Sequence, residues 1–171
     1  MSLDFDRRLA ELGIALPIPP DPLYNYVPVR RVGEMLYVAG QLHLENGMLR
    51  QQGQLGADAT LATAKEAARV CGMNILAQVR KGCGGTLNRV IECVRLTGYV
   101  NSAPGCTDQA GAMDGCSDLM VDVLGEAGRH VRTVVGVSSL PRNGIVVVEA
   151  TFHVIVGSAA QVSNQQGLVI Q

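Results

Sequence analysis

Apolar positions recur along this chain at two spacings, and each change of spacing marks a new element. Phe5, Leu9 and Leu12 stand at i, i+4 and i+7, which predicts a short amphipathic helix over residues 4–13 with Gly13 as its stop. The Pro-Ile-Pro-Pro-Asp-Pro run that follows has few backbone donors and fixed φ, so it reads as extended chain. Tyr24 to Val32 and Met35 to Leu42 predict two strands joined at Val32-Gly33-Glu34, and Asn46-Gly47 signals a second turn. Helical spacing is strongest over residues 58–80, where Leu61, Ala64, Ala68, Cys71, Ile75 and Val79 repeat along one face. Asp58 is the expected N-cap and Lys81-Gly82 the expected end. Residues 88–100 alternate as a strand, with Val90, Glu92 and Val94 set against Ile91, Cys93 and Arg95. Asn101 to Asp108 reads as a loop. A second helix is expected over 112–126, with Cys116, Leu119, Met120, Val123 and Leu124 on one face, broken by Gly125 and Gly128. Two further strands, 130–137 and 144–156, flank the turn Leu140-Pro141-Arg142-Asn143-Gly144.

After the leading helix the order is β-β-α-β-α-β-β. It predicts one α/β (α+β) domain over residues 1–157, a mixed sheet with both helices on one face, and then a polar tail over 158–171. Two helices cover one face only. The other face of a sheet this rich in Val and Ile calls for burial by something else, and self-association supplies it most directly.

Composition sharpens this picture. The chain has 171 residues, 47% of them hydrophobic, but only 4% are aromatic and none is Trp, so the core is expected from Val, Leu, Ile, Ala and Met. A formal charge of −1 argues against a nucleic-acid partner, which calls for a basic excess. No apolar run approaches the roughly 20 residues of a membrane span. The first twenty residues carry acidic groups and no apolar h-region, so a secretory signal is not expected. The five cysteines, Cys71, Cys83, Cys93, Cys106 and Cys116, show no C-x-x-C spacing. They fit reduced thiols in a cytoplasmic protein, with no metal site expected.

Several segments together resemble the RidA/YjgF family. Residues 125–154, GEAGRHVRTVVGVSSLPRNGIVVVEATFHV, are similar to its C-terminal signature: Arg132 opening a strand, the Leu140-Pro141 turn, and the strand from Val146 to Ala150 ending in Glu-Ala. Tyr26, with Ala39-Gly40-Gln41 at the matching distance, resembles the family's Tyr and Ser-Gly-Gln. The helix ADATLATAKEAARVCGMNIL and the stretch LTGYVNSAPGCTDQ are similar to a longer, divergent branch. Several motifs at consistent spacing make the resemblance specific. It implies a chorismate-mutase-like fold and a homotrimer with three clefts between subunits. It also implies cofactor-free hydrolysis of reactive enamine/imine intermediates such as 2-aminoacrylate, giving ammonia and a 2-oxo acid. Older names for the family are endoribonuclease L-PSP and translation inhibitor; the low basic content gives no physical support for an RNA role.

The resemblance assigns Arg132 to a substrate carboxylate, which a planar, permanently charged guanidinium suits. Taken alone, Arg132 reads more readily as a structural ion pair at a strand start, and the resemblance reverses that preference. It also implies that Tyr26 is a site tyrosine and Gly40 a backbone position lining the cleft, while the residues alone read equally as a core tyrosine and a strand-end turn. Three positions depart from the family pattern. Ala39 replaces the usual Ser, Asp114 stands where the family has Asn, and Val147 stands where it has a site Glu. Glu149 matches a second family glutamate and shares a strand face with residue 147, about 6.6 Å further on. Asp114 reads either as a helix N-cap or as a partner for Arg132, which at about 5 Å would attract it by on the order of 3 kcal/mol. Other candidates have weaker support. His43, His130 and His153 are far apart in sequence, Cys106 has no histidine partner, and Ser138-Ser139 lack a G-x-S-x-G context. Two functions stay open: an imine-hydrolysing enzyme using Arg132 and Glu149, or a trimer that binds a small carboxylate-bearing metabolite without turnover.

Overall fold

The computed structural model describes residues 4–19, 22 and 24–155, so the tail expected over 158–171 lies outside the described residues. Helix α1 (Phe5–Glu11) is capped by Asp4, whose carboxylate accepts the Arg7 N–H at 3.0 Å, and it buries Phe5 and Leu9. Strands β1 (Val29–Val32) and β2 (Met35–Leu42) form a hairpin, and a small second hairpin, β3 (Leu44–Glu45) with β4 (Met48–Leu49), turns at Asn46-Gly47. Then come α2 (Leu61–Gly82), β5 (Val90–Asn101), the short α3 (Gln109–Ala112), α4 (Asp114–Leu124), β6 (Val131–Val137) and β7 (Val146–Val154).

The five-stranded sheet has the order β1-β2-β7-β5-β6. Strand β7 runs antiparallel to both β2 and β5, and β6 runs parallel to β5. Both α2 and the α3–α4 pair are therefore crossovers between strands of one direction, as parallel connections require. They pack on the same face. On β7 the pattern is strict: Val146, Val148, Ala150, Phe152 and Val154 are buried beneath the helices, while Val147, Glu149, Thr151 and His153 alternate onto the open face. That open face is mixed polar and apolar, less Val- and Ile-rich than the composition suggests.

The element boundaries correct several expectations. Tyr24 to Val27 are not strand; Pro28, without an N–H, delays β1 until Val29. The N-cap of α2 is Thr60, whose hydroxyl accepts the Thr63 N–H at 3.1 Å, not Asp58. The helix also runs through Gly82 before the Gly85 N–H returns to the Arg80 carbonyl. The second helix is broken at Met113 into α3 and α4, with a 3-10 turn over Gly125–Gly128. In β5, register shifts between Val90 and Glu92 and between Cys93 and Arg95 interrupt the alternation, so Cys93 is buried while Arg95 is exposed.

Helices α2 and α4 approach each other closely at Gly115. A Cβ there would sit 1.9 Å from the Lys65 carbonyl oxygen, so only glycine permits this approach. The contact brings Lys65 of α2 beside Asp114 at the start of α4, which matters for the site below.

Candidate functional site

Arg132 lies near the start of β6, the edge strand, and its side chain turns toward α4. Its Nη1 donates to Asp114 Oδ1 at 3.1 Å and to Ser117 Oγ at 3.1 Å. Asp114 also pairs through Oδ2 with Lys65 Nζ at 3.4 Å. Asp114 is thus the first residue of α4 and an ion-pair partner, not its N-cap; Met113 holds that position and makes no side-chain cap bond. Among the described residues, Nη2 and Nε of Arg132 make no hydrogen bond, and 28% of its side chain stays exposed. Half of the guanidinium fork is therefore available to an anion.

Two further partners were not legible from spacing. Ser117 Oγ lies 3.1 Å from His130 Nε2, and His130 Nδ1 lies 2.6 Å from the Gly128 carbonyl oxygen. A carbonyl only accepts, so Nδ1 carries the hydrogen, and Nε2 of the neutral ring accepts from Ser117. Ser117 accepts from Arg132 in turn. Burial pulls the His130 pKa below 6.5, and the Arg132 charge adds to that shift. The one local signal was that Ser117 follows Asp114 by three residues and so shares its helix face.

The remaining candidates do not join this cluster within one chain. Glu149 pairs in register with Thr97, and Thr97 with Thr133, the residue after Arg132. Successive strand residues point to opposite faces, so Glu149 and Arg132 lie on opposite sides of the sheet. Gly40 sits in a β2 irregularity between Val38 and Gln41, where a Cβ would come within 2.8 Å of Val147 Cγ1. Tyr26 precedes β1, exposed, with its N–H bonded to the Tyr24 carbonyl at 2.8 Å. From β1 to β6 the sheet spans four strand spacings, roughly 19 Å. One chain therefore presents Asp114 with Arg132 at one edge, and Tyr26 with Gly40 toward the other.

Glu149 opens instead into a cavity of about 310 Å³ on the uncovered sheet face, lined also by Arg30, Tyr37, Ala39, Arg95, Thr97 and Thr151. Its carboxylate accepts from Tyr99 Oη at 3.4 Å, and burial, then the Glu149 charge, pushes the Tyr99 hydroxyl pKa up.

Elsewhere the side chains read as structural. His43 is buried between the carbonyls of Gln51 and Val146. His153 stands between Glu34 and Glu92, at 3.4 Å from each. Burial pushes the Cys93 thiol up to about 12 and those of Cys71 and Cys116 up as well, so these are poor nucleophiles. Among the described residues no group of three or more His, Cys, Asp and Glu side chains is arranged to hold a metal ion. No helix among them is long and apolar enough to cross a membrane.

The YjgF/chorismate mutase-like family model, also described as endoribonuclease, matches residues 6–154. Protein TCP17 of Trypanosoma cruzi is 41% identical over 144 residues, covering 84% of this chain and 89% of that protein. The crystal structure of Atu1372, a protein of unknown function from Agrobacterium tumefaciens, is 40% identical, with a TM-score of 0.82, over 88% of this chain and 92% of that one. TdcF of E. coli, solved with bound serine, matches in fold alone, at 18% identity and a TM-score of 0.57 over 81% of this chain and 94% of that one. With the sheet order, the two crossovers on one face and these matches together, the chain belongs to the RidA/YjgF family, on a chorismate-mutase-like fold.

Proposed function

We propose that the protein hydrolyses enamine/imine intermediates of the 2-aminoacrylate type to 2-oxo acids and ammonia, in a cleft between subunits of a homotrimer. The observation that carries this reading is the Arg132 fork, held through Nη1 alone with Nη2 and Nε left to an incoming carboxylate. The guanidinium orients the substrate by its carboxylate. The enamine tautomerises to the imine, and water adds its oxygen to the C=N carbon and a proton to nitrogen. The resulting hydroxyl gives its proton to nitrogen as C=O forms, the C–N bond breaks and ammonia leaves. A second subunit is needed because Tyr26, Gly40 and Glu149 of the same chain cannot reach Arg132. A neighbour laying its open sheet face and β1 side against the β6 edge would supply all three. The exposed Val131 and Val135 on β6 favour such a contact. Glu149, or main chain near Gly40, positions the water. The free cysteines are consistent with a cytoplasmic setting.

One observation favours a second reading, a trimer that holds a small 2-oxo or amino acid without turnover. Val147 fills the position beside Gly40 where the family carries a glutamate, so a water-positioning carboxylate is missing from that point. Serine bound by the distant relative TdcF is compatible with either reading. Freshly generated 2-aminoacrylate separates them. Accelerated ammonia release above the solvent rate, lost in Arg132→Ala, supports the enzyme. Stoichiometric binding without acceleration supports the binding module.

A further inference from the structure

Asp114 gives the Arg132 cleft a feature that a bare arginine lacks, a carboxylate beside the place where an anion would sit. Its Oδ1 accepts from Arg132 Nη1 at 3.1 Å, and its Oδ2 meets Lys65 Nζ at 3.4 Å. A carboxylate has about four acceptor positions, so roughly two remain. The side chain is 41% exposed, so a ligand can reach them. The carboxylate is also fixed in place. Asp114 opens α4, whose approach to α2 is set at Gly115, and Nη1 is tied to both Asp114 and Ser117. His130 holds Ser117 in turn, with its own Nδ1–H on the Gly128 carbonyl. The cleft thus presents two free donors, Nε and Nη2, next to a fixed and partly unfilled acceptor. We infer that Asp114 makes this site select zwitterionic 2-amino acids over 2-oxo acids of the same carbon skeleton. The inference rests on the reading that Arg132 receives a ligand carboxylate, and it names the class of ligand that carries it.

Hydrogen-bond polarity decides between the two ligands. Alanine and pyruvate differ only at the second carbon, which bears an ammonium in one and an oxo oxygen in the other. A carboxylate on Nε and Nη2 lies about 5 Å from Asp114, and a substituent on the adjoining carbon spans that gap. An ammonium brings donors and a positive charge to the Asp114 carboxylate. An oxo oxygen only accepts, as the carboxylate does, so the two repel and neither is satisfied. The amide that the family carries at this position can turn an N–H toward an oxo oxygen; Asp114 cannot. Net charge points the same way. Arg132 and Lys65 against Asp114 leave one positive charge within a chain. On the shared-cleft reading the partner subunit's Glu149 cancels it, which suits a ligand without net charge. A charge-assisted hydrogen bond at a partly exposed carboxylate is worth about tenfold in affinity. For an imine hydrolase the consequence is regulatory: free amino acids compete with substrate for the cleft, and the 2-oxo product is held weakly.

Titration calorimetry of the full chain with L-alanine, pyruvate and propionate near neutral pH tests it, with sedimentation run on every variant. Wild type should bind L-alanine about tenfold more tightly than pyruvate or propionate. Asp114→Asn should invert that order, weakening L-alanine about tenfold while pyruvate gains. Lys65→Met leaves Asp114 in place and frees its second oxygen, so it should tighten L-alanine and weaken pyruvate severalfold. It decides the matter if Asp114→Asn disturbs the assembly. Arg132→Ala should abolish binding of all three ligands. The inference alone fails if pyruvate binding depends on Arg132 yet L-alanine binds no more tightly than pyruvate. It fails also if Asp114→Asn in an intact assembly, or Lys65→Met, leaves the ratio of the two affinities unchanged. If none of the ligands binds, or none depends on Arg132, the carboxylate reading itself fails and this inference with it.

Discussion

Arg132 Nη1 meets Asp114 Oδ1 at 3.1 Å, and the same nitrogen serves Ser117, so one edge of the guanidinium is occupied and the other is not. Asp114 thus has two opposing effects. It fixes the direction of the fork, and it places a negative charge next to the anion the fork would receive. The unscreened interaction of such a charge with a ligand carboxylate at about 5 Å is on the order of 3 kcal/mol at a dielectric of 20, and exposure reduces it to roughly 1 kcal/mol. Asp114→Asn keeps a hydrogen-bond acceptor for Arg132 and removes the charge. Its affinity for small 2-oxo acids should rise about fivefold by calorimetry, with little change in stability. Unchanged or weaker binding would show that Asp114 acts chiefly by holding the fork in place.

Val147→Glu restores a carboxylate at the family position. Residue 147 is half-buried on the open face against Gly40, so a longer side chain can turn outward there without entering the core. A positioned general base typically contributes about 10²–10⁴ in rate, and a partially aligned one should raise kcat on 2-aminoacrylate about tenfold. KM should move little, in contrast to Asp114→Asn, whose effect should fall on KM. A double variant no faster than wild type would mean that Glu149 or main chain already does this work.

Much of the fold was legible because the two spacings are clean: α2, β2, β7 and the buried face of α4 follow from period alone. The misplaced boundaries have local causes. Pro28 cuts into a run that otherwise reads as strand, Met113 interrupts a helix, and two register shifts in β5 put Arg95 on the open face. The site was legible only in part. Arg132 and Asp114 are 18 residues apart, and their meeting depends on the close passage of α2 and α4 and on the edge position of β6. Lys65 and His130 join them through tertiary geometry that no sequence spacing encodes, and for Ser117 spacing gives only a helix face shared with Asp114.

The His130 linkage predicts a pH effect. Its pKa in the fold lies below 6.5, mainly through burial, so between the two values the unfolded chain binds more protons than the folded one. Stability should therefore fall as pH drops below about 6.5 toward the folded value, while this group contributes no slope above that window. Urea denaturation between about pH 7 and pH 5 measures it, and His130→Gln should flatten the slope. An identical slope in the variant would place the linkage on other groups.

Gly115→Ala tests the helix approach that brings Lys65 to Asp114. The new methyl would meet the Lys65 carbonyl, so the helices must separate at a cost of about 1–3 kcal/mol. Denaturant midpoints check this, and a neutral substitution would mean that the passage of α2 over α4 is looser than its geometry indicates.

The claim on which the functional account turns is that each site is shared between copies of the chain, with Arg132 from one and Tyr26 from its neighbour. Co-expressing Arg132→Ala subunits with Tyr26→Ala subunits and assaying the mixed assemblies on freshly generated 2-aminoacrylate tests this directly. Each variant alone should be inactive, and the mixed assemblies should recover a measurable fraction of wild-type turnover, because some clefts then combine an intact Arg132 with an intact Tyr26. Mixed assemblies as inactive as their parents, or full activity in either variant alone, would contradict it.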